Sequence, residues 1–158
     1  MGPVLAALDQ QFILLDHRSR ALLSKLTEGL LFQRPDGSRT SINPFSCGEY
    51  ILRSAGAVEQ TFDGLTTRLW DDPFEWTLPE KLSTGEAILE YLDEVEATRR
   101  RGFGFFSSDG DLSREVPAPE QLRSLADILT DTVSRASHLQ GRAFALYEVL
   151  TGDRLPRL

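Results

Sequence analysis

The side chains able to do chemistry in this chain are few: two histidines, His17 and His138, and one cysteine, Cys47. Neither histidine has a partner at Glu-x-x-His or His-x-x-x-His spacing. A di-iron centre between helices takes two Glu-x-x-His pairs turned inward, and a His-Glu-x-x-His zinc hydrolase takes two imidazoles one turn apart. Both chemistries are excluded. His138 precedes an inward-facing Leu139, so a turn of ~100° carries its ring to the flank of a helix. His17 lies two residues beyond Leu15 and reads as a surface or dimer-contact group. Cys47 falls in the first turn of a predicted helix, where unpaired amides and the dipole favour a thiolate. No histidine or arginine adjoins it in sequence as a base, and a small buried apolar role fits it as well. A lone cysteine excludes an intrachain disulfide and any multi-cysteine metal site. Gly102-Phe103-Gly104 has no preceding strand and lacks the rest of a nucleotide fingerprint.

Four amphipathic segments must position these groups. In the last, about 124–151, Leu125, Leu129, Thr132, Ala136, Leu139, Ala143, Leu146 and Leu150 alternate spacings of four and three, the signature of a helix with one buried seam. Ser124 with Asp127 marks its start and Gly152 its end. The first segment, about 3–27, carries Leu5, Leu8, Phe12, Leu15, Ser19, Leu22 and Leu26 on its seam. Ile13, Leu14 and Leu23 lie outside that seam, and this surplus predicts a homodimer surface. The second, about 47–69, opens on a Ser46/Glu49 capping box and keeps Ile51, Ala55, Val58, Phe62, Leu65 and Leu69 in register. Gly48, Gly56 and Gly64 recur within it, which predicts close approach of another backbone or a ligand, or ordinary tolerated glycines. The third, about 84–105, follows a Ser83/Glu86 box and buries Ile88, Tyr91, Leu92, Val95 and Phe103. On its opposite face Glu90, Asp93, Glu94 and Glu96 read as solvated, with Arg99 and Arg100 near enough to pair with Glu96. Pro35-Asp36-Gly37 marks a turn in the first connection. Trp70, Phe74 and Trp76, in the proline-broken second connection, read as plugs for the end of the core. No segment reads as a strand. The expected fold is all-α, a single-domain antiparallel up-down four-helix bundle.

With 158 residues and 41% hydrophobic content, the chain suits one core. It lacks a run of ~18 apolar residues, and the acid and glutamines near its start do not suit a signal peptide, so the reading is soluble and cytoplasmic. A net charge of −7 argues against nucleic acid and anionic membranes, leaving Arg99-Arg100-Arg101 as a local basic patch only.

The order of parts, from a long first helix through RPDGSRTSINPFSCGEYILRSAGAVEQTF to SLADILTDTVSRASHLQGRAFALYEVLTG, resembles the DinB/YfiT-like family. Its members carry a loop similar to R-P-x-P-G-S and finish on a pattern similar to H-x-x-x-H-R-G-Q. The resemblance implies a four-helix bundle, often dimeric, with three metal-ligating histidines, and thiol-transferase or hydrolase chemistry where that site is intact. With Gly141 on the motif's glycine, the ligand positions fall on Arg135 and Leu139, with the helix-two position at Ser54 or, one residue off, Arg53. None is histidine. A guanidinium stays protonated and leucine has no lone pair, so the resemblance predicts no cofactor at the family's metal site. Two functions remain open. One is a noncatalytic module binding a small molecule, an anion or a partner in the former metal cleft, formed by Ser54, Glu59, Arg135, His138 and Leu139, with Arg135 reaching Glu59, an anion or solvent. The other is a metal-dependent transferase or hydrolase whose zinc or nickel uses relocated ligands such as His138 and Glu59.

Overall fold

The computed structural model describes residues 1–35, 44–76 and 82–154, without the side chains of residues 75 and 76. The expected turn at Asp36-Gly37 and the packing of Trp76 lie outside that set. Four long helices carry the fold: α1 (Pro3–Leu23), α3 (Cys47–Thr67), α5 (Gly85–Phe103) and α6 (Leu125–Thr151). Single-turn helices α2 (Glu28–Leu31) and α4 (Pro73–Trp76) sit in the connections. The chain is mostly helical, as the seams require.

The helix ends follow local chemistry. Ser46 and Glu49 form the capping box of α3, and Ser124 accepts from the Asp127 amide at 3.1 Å to cap α6. Thr84, not Ser83, caps α5, its hydroxyl accepting from the Ala87 amide. α1 has no capping side chain of its own; Asp109, far along the chain, accepts from the amides of Val4 and Leu5 at 3.1 and 2.9 Å. α1 also stops at Leu23, short of the expected Thr27, and α3 ends at Thr67, where Arg68 turns left-handed at φ 65°.

Contacts between helices settle their directions. Cys47 Sγ donates to the Ala143 carbonyl, Ser54 Oγ to the Ala136 carbonyl, and Thr61 Oγ1 lies 2.8 Å from Thr132 Oγ1, so α3 and α6 are antiparallel. α3 and α5 both start against α2. Gly48 abuts Leu31, and the Gly85 amide donates to the Glu28 carboxylate at 3.2 Å. Further along, Glu59 meets Tyr91, and the Phe62 and Phe103 rings lie 5.3 Å apart. α3 and α5 therefore run in parallel, and α1, which ends at α2 and begins beside Asp109, opposes both. The up-down alternation expected for the four helices is corrected here to an up-down-down-up order. Its cause is the α3–α5 connection, which is long enough to run back along the helices.

That connection is docked by its aromatics. A Cβ on Gly64 would stand 2.3 Å from Trp70 Cδ2, and one on Gly56 2.4 Å from Phe74 Cε2, so each ring occupies a notch that only glycine leaves. Gln60 Nε2 donates to the Trp70 carbonyl at 2.8 Å. Trp70 and Phe74 thus lie along α3 instead of plugging an end. The core gathers Leu5, Phe12 and Leu22 of α1, Tyr50, Ile51 and Phe62 of α3, Ile88 and Leu92 of α5, and Leu125, Leu129 and Leu146 of α6.

A strand pair, unforeseen in the sequence, links α5 to α6: β1 (Glu115–Pro117) and β2 (Leu122–Ser124) are antiparallel, with Val116 opposite Arg123. Three residues are too few to show a period of two, which is why the ribbon is silent in sequence. Trp70 Nε1 donates to the Pro117 carbonyl at 3.1 Å, tying ribbon to crossover.

Candidate functional site

Because α3 and α5 run side by side and the crossover lies over their seam, a cleft of about 590 Å³ opens between them. It is lined by half-buried Glu59 and Asp63 of α3, by buried Tyr91 and exposed Glu94 of α5, and by Leu69, Asp72, Pro73 and Leu82 of the crossover. Tyr91 is almost fully buried, and its hydroxyl donates to Glu59 Oε2 at 2.5 Å. The tyrosine ring packs edge-on against Phe74, centroids 5.9 Å apart, so the crossover holds it in place.

Electrostatics in the cleft favour held protons. Burial raises the proton affinity of Glu59, the Tyr91 hydrogen bond lowers it, and the charges of Asp63 and Glu94 raise it again, leaving it above the ordinary carboxylate range. Asp63 is raised by burial against the opposing pull of Arg101. The Tyr91 phenol is pushed far above its ordinary range, first by burial and then by Glu59, and stays a donor. The pair can hold a proton or face a cation.

The structure places the five residues predicted for the former metal cleft in different settings. Ser54 is buried, and its hydroxyl is spent on the Ala136 carbonyl at 2.9 Å. Arg135 is exposed; its Nη1 donates to Gln60 Oε1 at 3.2 Å, beside a separate hollow of about 230 Å³ that Arg123 and Thr132 also line. Of the three reaches expected for Arg135, to Glu59, an anion or solvent, the one to Glu59 is not made: the guanidinium is open to solvent and its Nη1 turns to Gln60. His138 is exposed on the outer flank of α6. Leu139 is only partly buried, and the inward position belongs to its neighbour: Gln140 is buried, its Nε2 donating to the Leu15 carbonyl and Ser19 Oγ at 2.6 and 2.8 Å. Ser54, Arg135 and Glu59 therefore line three different hollows. Among the described residues no three His, Cys, Asp or Glu side chains converge as a metal-holding group.

Other candidates resolve as structure. Cys47 is buried and burial pushes its thiol up to about 11, the opposite of an activated nucleophile. Glu96 leaves the solvated face assigned to it: it takes Arg99 at 2.7 Å and Arg100 at 2.9 Å, and buried Arg99 also meets Asp9. Leu23 sinks into the core, so the surplus apolar face of α1 reduces to half-buried Ile13 and Leu14. No helix among the described residues is long and apolar enough to cross a membrane. The residue that sequence reasoning missed is Tyr91, assigned to the seam as an apolar ring. Its signal was faint, a phenol on one seam and an acid beside another. Comparison with known proteins finds no matching family model, curated protein or solved structure.

Proposed function

We propose that this chain is a DinB-like four-helix bundle that has lost its metal site and serves as a noncatalytic module binding a small molecule in the α3–α5 cleft. The carrying observation is the placement of Ser54: it is buried in the α3–α6 seam, its hydroxyl donating to the Ala136 carbonyl, and it lines a different hollow from Arg135. At the other two positions, Arg135 keeps its proton and Leu139 has nothing to donate. The donor set does not fit a divalent metal, and no step through one is derived. Binding capacity lies instead in the cleft, whose volume falls in the ~300–1,000 Å³ range of small-molecule sites and whose lining carries a polar pair joining α3 to α5, Glu59 and Tyr91. Pairing of two copies through α1 would use Ile13 and Leu14.

The test is metal analysis of protein purified without a chelating tag, followed by zinc and nickel titration. The expected result is substoichiometric metal and an unchanged melting temperature. Stoichiometric zinc or nickel bound through His138 would overturn the reading in favour of an enzyme with relocated ligands. Light scattering at high micromolar concentration reads the dimer.

A further inference from the structure

We infer that the α3–α5 cleft takes a compact organic cation, a primary ammonium on a short apolar stem, with Glu59 as its counter-charge. The inference rests on the binding-module reading and names its ligand class.

The pattern of ion pairing across the molecule carries it. Other half-buried carboxylates are provided for elsewhere: Asp9 and Glu96 meet Arg99, Asp16 meets Arg20, Glu49 meets Arg34, and Asp109 and Asp111 accept from backbone amides, while among the described residues Asp63, in the same cleft as Glu59, feels only the longer-range pull of Arg101. Glu59 is half-buried in the same way, yet among the described residues it meets only a phenol. A carboxylate withdrawn from water without a cation is costly, and its raised proton affinity has the same cause. Among the described residues no counter-charge faces it, whereas a bound ammonium would supply one.

Surroundings and shape agree. Asp63, Asp72, Glu90 and Glu94 also line the cleft, and no arginine, lysine or histidine does so among the described residues, so an anion entering it is repelled. Tyr91 engages Oε2 of Glu59 and leaves Oε1 without a hydrogen bond among the described residues, free to accept from a ligand N–H. Leu69, Pro73, Leu82 and Ala87 supply apolar wall for a stem. A metal ion is the poorer occupant, because it needs several ligating groups converging on one point and an ammonium needs one carboxylate and a negative potential.

The experiment is calorimetric titration of the full chain at about 0.15 M salt, where long-range attraction between exposed charges is largely screened. The probes are n-butylammonium and 1,4-diaminobutane, with butyrate and 1-butanol as controls. Glu59→Gln keeps the shape and the Tyr91 bond but removes the charge; Glu90→Gln removes a carboxylate nearer the rim. Saturable amine binding, weakened about tenfold or more by Glu59→Gln, little changed by Glu90→Gln and absent for butyrate, is the expected result. Identical amine titrations of wild type and a folded Glu59→Gln overturn the inference, as does the absence of amine binding. Should Glu59→Gln fail to fold, methyl resonances of Ala87 and Leu82 in the wild type decide: shifts there on adding butylammonium support the site, and shifts only elsewhere overturn it. 1-Butanol binding as tightly as butylammonium removes the cation and leaves the binding module standing. Stoichiometric zinc removes the module itself.

Discussion

Replacing Tyr91 by phenylalanine takes one oxygen from the lining of the cleft and leaves the ring packed on Phe74. The bond lost runs from a phenol to a carboxylate, and hydrogen bonds to charged groups contribute about 1.5–3 kcal/mol. Glu59 is only half-buried, so water can take the place of the hydroxyl, and the loss belongs at the lower end, about 1.5 kcal/mol. For a domain of this size that lowers the melting temperature by about 3–6 °C at neutral pH. The pH dependence has a definite sign. Burial raises the folded-state affinity of Glu59 for its proton, so its net contribution to stability is present at low pH and is lost as pH rises through the folded-state titration. The Tyr91 bond opposes that loss because it favours the ionised form. The gap between wild type and Tyr91→Phe should therefore be full at neutral pH and shrink as the solution is acidified through the titration of Glu59. Urea denaturation of both proteins at a series of pH values measures it. Equal stability at pH 7, or a gap unchanged across the series, would refute the assignment of this bond to an ionised Glu59.

Two glycine substitutions should move stability in opposite directions. A Cβ on Gly102 would stand 2.3 Å from Cδ1 of fully buried Phe62, itself wedged between Phe12 and Phe103, so Gly102→Ala should cost about 1–3 kcal/mol. Nothing lies within 4 Å of a Cβ on Gly141, so Gly141→Ala should stabilise by up to ~1 kcal/mol; thermal melts check both, and a stabilised Gly102→Ala would contradict the packing. Cys47, buried and with its thiol pushed up to about 11, should resist a thiol-reactive probe in the native protein and react fully in urea; stoichiometric labelling of the native state within minutes would contradict its burial.

Much of the secondary structure was legible because it is local. A Ser-x-x-Glu box, a serine before a leucine-rich seam and a glycine after it need only their own neighbours, and α3 and α6 begin where those signals stand. Other boundaries moved for equally local reasons: Thr84 stands one residue closer to α5 than Ser83 and takes the cap, and Arg68 adopts the left-handed turn that ends α3. The α1 cap could not be read in this way, because Asp109 lies more than a hundred residues along the chain.

The site was legible only in part. Glu59 could be singled out as an acid beside a seam, but its partner depends on α3 and α5 running in parallel, and helix direction leaves no trace in a seam that reads the same both ways. Leu139 and Arg135 could be set aside as metal ligands from side-chain chemistry alone, since protonation and lone pairs belong to the residue, whereas Ser54 could not. Where each of them sits was decided by packing. A seam repeating at three and four leaves the inward direction uncertain by about one residue per turn, and that margin let Gln140 turn inward while Leu139 stayed at the edge. The sequence by itself determined the four long helices, the caps of α3 and α6 and the want of a usable lone pair at Arg135 and Leu139, all properties of a residue or its near neighbours. The helix directions, the crossover seated in two glycine notches and the meeting of Glu59 with Tyr91 were decided only by the tertiary structure, because each depends on the register between elements far apart in the chain.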